Sequence, residues 1–159
     1  MTTIETKSLS DSAKTKCFGV SVADIMSKDV ITFAEDDPVE DVIGIFEMHH
    51  FHTYPVLSAN GELVGTIDQN IVLEVLLFNR VPRTRHTHLA AIRSLGEDAK
   101  GIMMPHPVTI SYDTDLYNAA DMMLKHYIDR ACVTDDGKLV GIVSKRDVIN
   151  EVYRTRGTG

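Results

Sequence analysis

The sequence predicts an α+β fold of two βαββα repeats packed as a pseudo-twofold pair. Three observations carry this. The chain matches itself: with a displacement of 77 positions, Ile25-Met26 falls on Ile102-Met103, Ile31-Thr32-Phe33 on Val108-Thr109-Ile110, Asp36 on Asp113 and His49 on His126. Each copy then carries one apolar stripe at helical spacing, Val39, Val42, Ile43 and Phe46 in the first and Leu116, Ala119, Ala120, Met123 and Tyr127 in the second. Each copy also has two short apolar runs joined by a glycine turn, with the displacement falling to 76 so that Gly61 meets Gly137 and Leu63-Val64-Gly65 meets Leu139-Val140-Gly141. One unit of about 55 residues has too little interior to bury a sheet alone, so two units covering each other are the economical solution.

In chain order, Val22 to Met26 reads as a short helical turn and Val30 to Phe33 as a short strand. Glu35-Asp36-Asp37-Pro38 is a helix start, with acids in the first turn and a proline near its first position. After His49 to His52, Tyr54 to Leu57 and Leu63 to Ile67 are strands flanking Ser58-Ala59-Asn60-Gly61, where Asn-Gly signals a hairpin. Asp68 caps a helix running through Ile71, Val72, Leu73, Val75, Leu76, Leu77 and Phe78, which is apolar nearly all round. Residues 20–80 thus form the first repeat and 99–154 the second. Residues 81–98 are a connector with a helical piece near Leu89 to Ile92, and residues 1–18, polar and rich in Thr, Ser and Lys, are expected to be a disordered tail.

Composition bounds the function. At 159 residues, with 43% apolar and 25% charged residues, the chain is ordinary for a globular protein. A net charge of −7 argues against a nucleic-acid binder, which needs a basic face. Cys17 and Cys132 form neither a disulfide framework nor metal-ligand spacing, which fits a reducing cytoplasm. No segment reaches the roughly 18 apolar residues of a membrane span, and the first dozen residues lack a signal-peptide layout.

The chemistry concentrates in Gly141-Ile142-Val143-Ser144-Lys145-Arg146-Asp147, where a strand runs directly into a helix start. Such a start offers unpaired N–H groups and the positive end of the helix dipole, both suited to phosphate. Lys145 and Arg146 add cations, and an ionised Asp147 could accept hydrogen bonds from a sugar diol. The same Ser-x-x-Asp pattern is also a capping box, in which the two side chains satisfy only the helix's own N–H groups. Both readings stand on the sequence.

These residues resemble a pair of cystathionine-β-synthase (CBS) domains. The marks are Val22-Ala23-Asp24-Ile25-Met26, Tyr54-Pro55-Val56 and Gly61-x-Leu63-Val64-Gly65-Thr66-Ile67 in the first copy. In the second they are Gly101-Ile102-Met103, Cys132-Val133 and Gly137-x-Leu139-Val140-Gly141-Ile142-Val143-Ser144-x-x-Asp147. The resemblance implies a module that senses adenine nucleotides (AMP, ADP or ATP) or adenosyl compounds in clefts between repeats. It implies Ser144 and Asp147 as phosphate and ribose contacts, with Thr109, Ile128, Arg130 and Ala131 as flanking ligand residues; Lys145 and Arg146 join them on electrostatic grounds. In the first copy Asp68 and Ile71 occupy the hydroxyl and aspartate positions. A carboxylate repels phosphate and an apolar side chain cannot hold a diol, so at most one nucleotide site per chain is expected. Cys132 stands where the family has a proline.

Other constellations lead less far. His49-His50-x-His52 invites a metal, but no acid or cysteine cluster accompanies it, and a cationic histidine suits a helix C-terminus. His86, His88, His106 and His126 are scattered; Cys132 and the pairs Met103-Met104 and Met122-Met123 read as core. No catalytic triad, phosphate loop or HExxH motif is present. The reading is therefore a non-enzymatic regulatory nucleotide sensor, without metal, signalling to a separate effector protein. The apolar helix Ile71 to Phe78 is expected to contribute to a homodimer. A nucleotide-insensitive dimerisation scaffold is the alternative, followed by a metal or redox sensor using His49 to His52 or Cys132.

Overall fold

The computed structural model describes residues 19–78 and 98–156. The tail 1–18, most of the connector with Leu89 to Ile92, Cys17, His86 and His88 lie outside the described residues. The elements are α1 (Val22–Ile25), β1 (Phe33–Ala34), α2 (Val39–Met48), β2 (Thr53–Leu57), β3 (Leu63–Asp68), α3 (Gln69–Phe78), α4 (Ala99–Ile102), β4 (Met104–Pro105), β5 (Thr109–Ser111), α5 (Leu116–Lys125), β6 (Arg130–Asp135), β7 (Lys138–Ser144) and α6 (Lys145–Arg156). Both repeats therefore carry a sheet and helices in the expected order. β1 and β5 are shorter than the apolar runs suggest. Only Phe33 and Ala34 register with Val56 and Leu57 of β2, and only Thr109 to Ser111 with Cys132 to Thr134 of β6.

The strands form two sheets, β1-β2-β3-β4 and β5-β6-β7, with β1 parallel to β2, β5 parallel to β6, and β2 antiparallel to β3. The one-residue difference between repeats sits in the hairpins. In the second, Asp136 and Gly137 both have positive φ, 50° and 80°, the twist that a two-residue primed turn requires. In the first, one residue longer, only Gly61 is left-handed and the ladder shifts register between Val56 and Leu57.

Chain segments divide between two compact units in a way the repeat alone does not announce. Of the described residues, one unit joins 19–28 with 109–135 and 140–156; the other joins 29–78 and 98–108 with 136–139. In the first, Val22 N–H donates to the Thr114 carbonyl at 2.8 Å, and Ser27 and Ile142 exchange both backbone hydrogen bonds at 2.8 and 2.9 Å. In the second, Ala99 N–H donates to Asp37 at 2.8 Å, Lys100 N–H to Glu35 at 2.9 Å, and β4 pairs with β3. The opening segment of each repeat thus completes the other repeat.

Two separate cores follow the same division. Val22 packs with Ile110, Leu116, Ala119, Met123, Val133 and Val143, while Ala99 and Ile102 pack with Phe33, Val42, Tyr54, Val56, Ile67 and Ile71. The stripe read from the sequence is the buried one: Val42 is in the second core, with Val39, Ile43 and Phe46 packed against it. Tyr54 anchors an aromatic cluster there, its ring 4.5 Å from that of Phe46 and 5.4 Å from that of Phe33.

Glycine at 141 is dictated by this completion. A Cβ there would lie 2.8 Å from the Ser27 carbonyl oxygen and 2.6 Å from Met26 Sδ; at Gly65 the same intrusion would meet Met103 and the Met104 carbonyl. Because part of the obstacle is backbone, relief requires the Met26–Ser27 segment to move. Gly141→Ala is expected to destabilise the fold by about 1–3 kcal/mol in urea unfolding, the usual cost of overpacking, whereas Gly44→Ala, which meets nothing within 4 Å on a helix, should be neutral or better.

Candidate functional site

β7 ends and α6 begins without an intervening loop, so Ser144 is the last strand residue and Lys145 the first helical one. The capping box predicted from Ser-x-x-Asp is fully formed. Ser144 N–H donates to Asp147 Oδ2 at 2.8 Å, and Asp147 N–H donates to Ser144 Oγ at 3.1 Å. Each side chain uses one function here and keeps another. The Ser144 hydroxyl proton remains a donor, and Asp147 Oδ1 remains an acceptor.

The start of β6 abuts this junction, because Lys145 N–H donates to the Asp129 carbonyl at 2.8 Å. The Asp129 carboxylate Oδ1 also lies 3.3 Å from Lys145 Nζ. Asp129 is therefore a fifth group beside Ser144, Lys145, Arg146 and Asp147, and the sequence reading omitted it. Its signal was the charge two positions before the buried Ala131, where the first repeat carries His52. Arg130, exposed, opens β6; Ile128 is half-buried against the core. Thr109, exposed, opens β5 and registers with Cys132 two residues into β6, so it lies at the same end of the sheet. Ala131 is 3% exposed and in the core, which leaves only its backbone for a ligand.

The corresponding junction of the first repeat has different chemistry on the same backbone. Gln69 N–H donates to the His52 carbonyl at 3.2 Å, as Lys145 does to Asp129. Ile71 N–H donates to Asp68 Oδ1 at 2.9 Å, so Asp68 is the helix cap it was expected to be. Ile71 itself is buried in the core and offers no acceptor.

The histidine cluster spreads over separate partners: the His49 ring stacks on Phe51 at 6.3 Å, and His52 Nδ1 lies 3.1 Å from Gln69 Oε1. Among the described residues no three His, Cys, Asp or Glu side chains converge as metal ligands, and no helix is long and apolar enough to cross a membrane. Cys132 is a free, buried thiol. Burial pushes its pKa up to about 11, which suppresses the reactive thiolate at neutral pH.

Both units expose apolar helix faces. On α3, Ile71 and Val72 enter the core while Leu73, Leu76 and Leu77 face outward, with Met48 of α2 also exposed. On α6, Ile149 and Tyr153 face outward, and with Leu124 and Met123 of α5 they line a groove of about 370 Å3 that has Lys145 among its lining residues. Asn150 and Arg154 face outward as the sequence suggested, so α6 carries a polar face beside this apolar one, which the sequence did not announce. Glu151 and Arg154 pair with each other at 2.6 Å, and the Arg154 hydrogen bond holds the Glu151 carboxyl below its usual pKa.

Two copies of one strand–helix–strand–strand–helix unit, one of them ending in a hydroxyl-and-carboxylate junction, define a paired-repeat module whose two strand–helix junctions differ in chemistry. The chain belongs to the CBS domain family, whose model matches residues 22–77 and 99–154, more than half of its length. It is 28% identical over 150 residues to the uncharacterised protein MJ1426 of Methanocaldococcus jannaschii, covering 80% of this chain and 88% of that one. It is 26% identical over 127 residues to inosine-5'-monophosphate dehydrogenase of the same organism, covering 79% of this chain but 22% of the enzyme. Among solved structures it resembles CBSX2 in complex with AMP (TM-score 0.71, 23% identity, 87% of this chain and 99% of that chain). It also resembles the CBS domain pair of MJ0100 in complex with 5'-methylthioadenosine and S-adenosyl-L-methionine (TM-score 0.64, 25% identity, 86% and 98%).

The raised thiol pKa has a measurable consequence. Between the ordinary value of 9.0 and about 11 the unfolded chain has released a Cys132 proton that the folded chain retains, so stability falls as pH rises through this window. Urea unfolding from pH 8 to 11 should show a loss in the wild type that exceeds the loss in Cys132→Val by up to about 2–3 kcal/mol, since the raised Tyr54 phenol contributes to both proteins alike.

Proposed function

We propose that this chain is a non-enzymatic regulatory module that binds an adenine nucleotide or adenosyl compound at the β7–α6 junction and passes the signal to a separate effector protein. The observation that carries this reading is the division of labour at Ser144 and Asp147. Both complete the capping box, yet a hydroxyl donor and a carboxylate oxygen are left over, matched to a phosphate and a ribose diol. Arg130, Lys145 and Arg146 supply positive charge, Thr109 and Ile128 flank the site, and the backbone of Ala131 is in reach of a base edge. Solved relatives of the same fold that hold AMP or adenosyl compounds support this ligand class. The first repeat, with Ile71 in its core and Asp68 committed to its cap, leaves one such site per chain. A cytoplasmic setting suits the unpaired Cys132.

A ligand that binds only the folded state at 100 times its Kd adds about 2.7 kcal/mol, readable as several degrees in a thermal-shift assay. AMP, ADP, ATP or S-adenosylmethionine should raise the melting temperature of the wild type. Asp147→Asn should abolish the shift while lowering basal stability by about 0.5–2 kcal/mol through the cap. The competing reading, a nucleotide-insensitive scaffold, is favoured by the box being complete without any ligand; a flat response to every adenine compound would select it.

The exposed rows on α3 and on α5–α6 are proposed as homodimer contacts, because apolar faces of this kind on a folded unit ordinarily meet a partner. Light scattering at micromolar concentration should give about twice 17.7 kDa for the wild type and the monomer mass for Leu73→Glu/Leu77→Glu.

A further inference from the structure

The Asp129–Lys145 pair bears on which adenine compounds the junction can accept. Asp129 is anchored by its own carbonyl to the first N–H of α6, and its carboxylate reaches back to the Lys145 ammonium. An acid is thereby held at a helix N-terminus, where an incoming phosphate would also be attracted. The fold does not require it: the same backbone hydrogen bond in the first repeat carries His52, whose ring pairs with Gln69 and, among the described residues, with no acid. The Asp129 side chain is 84% exposed, so its carboxylate is an addition to the surface of the site rather than part of the core.

Three cations, Arg130, Lys145 and Arg146, stand against two carboxylates, Asp129 and Asp147, in this group. Among the described residues Arg130 and Arg146 have no acidic partner, while Lys145 is already paired. Each phosphate added to a ligand brings further negative charge toward Asp129 and must compete with it for Lys145. A neutral or cationic 5' group faces no such competition.

We infer that Asp129 is a charge filter that sets the ligand class of this junction, favouring adenosine compounds with no phosphate or one over di- and triphosphates. This rests on the adenine-ligand reading above. It names Asp129, with Lys145, as the determinant that ranks ligands within that class.

Titration calorimetry on the full chain with adenosine, AMP, ADP and ATP, at low and high salt, tests it. The wild type should bind AMP at least as tightly as ATP. Asp129→Asn should strengthen ATP relative to AMP by about two- to fivefold per added phosphate, the range expected of one exposed charge pair. Adenosine should be unaffected, and the gain should shrink at high salt, where exposed charges are screened. Asp129→His, which installs the residue of the first repeat, provides a second variant known to suit this backbone and should shift the ratio in the same direction. If the wild type prefers ATP, or if both variants leave the AMP-to-ATP ratio unchanged while Asp147→Asn still abolishes binding, the filter is wrong and the site stands. If no adenine compound binds the wild type, the functional reading falls and takes the filter with it.

Discussion

A methionine and a backbone carbonyl rest on a glycine in each unit, and much of the molecule follows from that close approach. Met26 and Ser27 lie over Gly141, and Met103 and Met104 over Gly65, closer than any Cβ would permit. The approach lets Ser27 exchange two backbone hydrogen bonds with Ile142 and lets β4 add to the edge of β3. An edge strand with unpaired N–H and C=O groups is thus covered by a segment distant in sequence. Val22 and Ala99, both fully buried, are the apolar plugs that come with these segments. Neither repeat has a complete core without the segment that opens the other.

That exchange leaves the C-terminal ends of β3 and β7 to run straight into α3 and α6, and there the two repeats part company. The backbone is the same in both, down to the hydrogen bond from the first helical N–H to the residue before β2 or β6. The side chains are not. Asp68 spends its carboxylate on the Ile71 N–H and Ile71 turns into the core, whereas Ser144 and Asp147, both half-buried, satisfy each other's backbone and each keep a second polar function. A complete capping box therefore does not by itself use up the hydrogen-bonding groups of these two residues. Two oxygens per carboxylate, and a hydroxyl that can accept and donate together, allow one set of atoms to hold the helix and another to meet a ligand.

Much of this was legible in the residues themselves. The repeat gave the element order, and the i, i+3, i+4 spacing gave the buried faces of α2 and of α5 as far as Met123; Tyr127, counted in the second stripe, instead lies past the helix end with positive φ and is 90% exposed. Asp68 and the Ser144–Asp147 box were readable because capping is a local hydrogen bond between residues three apart. The pairing of β4 was not legible, since a two-residue strand has no periodicity and its partner is far away in sequence. The outward apolar face of α6 was also missed. Glu151 and Arg154 look like a polar surface, but they pair along the helix at i, i+3, leaving Ile149 and Tyr153 to form the face beside α5.

By itself the sequence determined the family, the two copies and the inequality between their junctions, because those depend on residue identity at fixed short spacings. Tertiary structure alone decided which segment completes which core, and that Asp129 rather than solvent is the neighbour of Lys145. Both are contacts across 16 or more positions, set by how strands register and helices pack. No local pattern of side chains encodes such distances, so the acid beside the β7–α6 junction became visible only when β6 was laid against the start of α6.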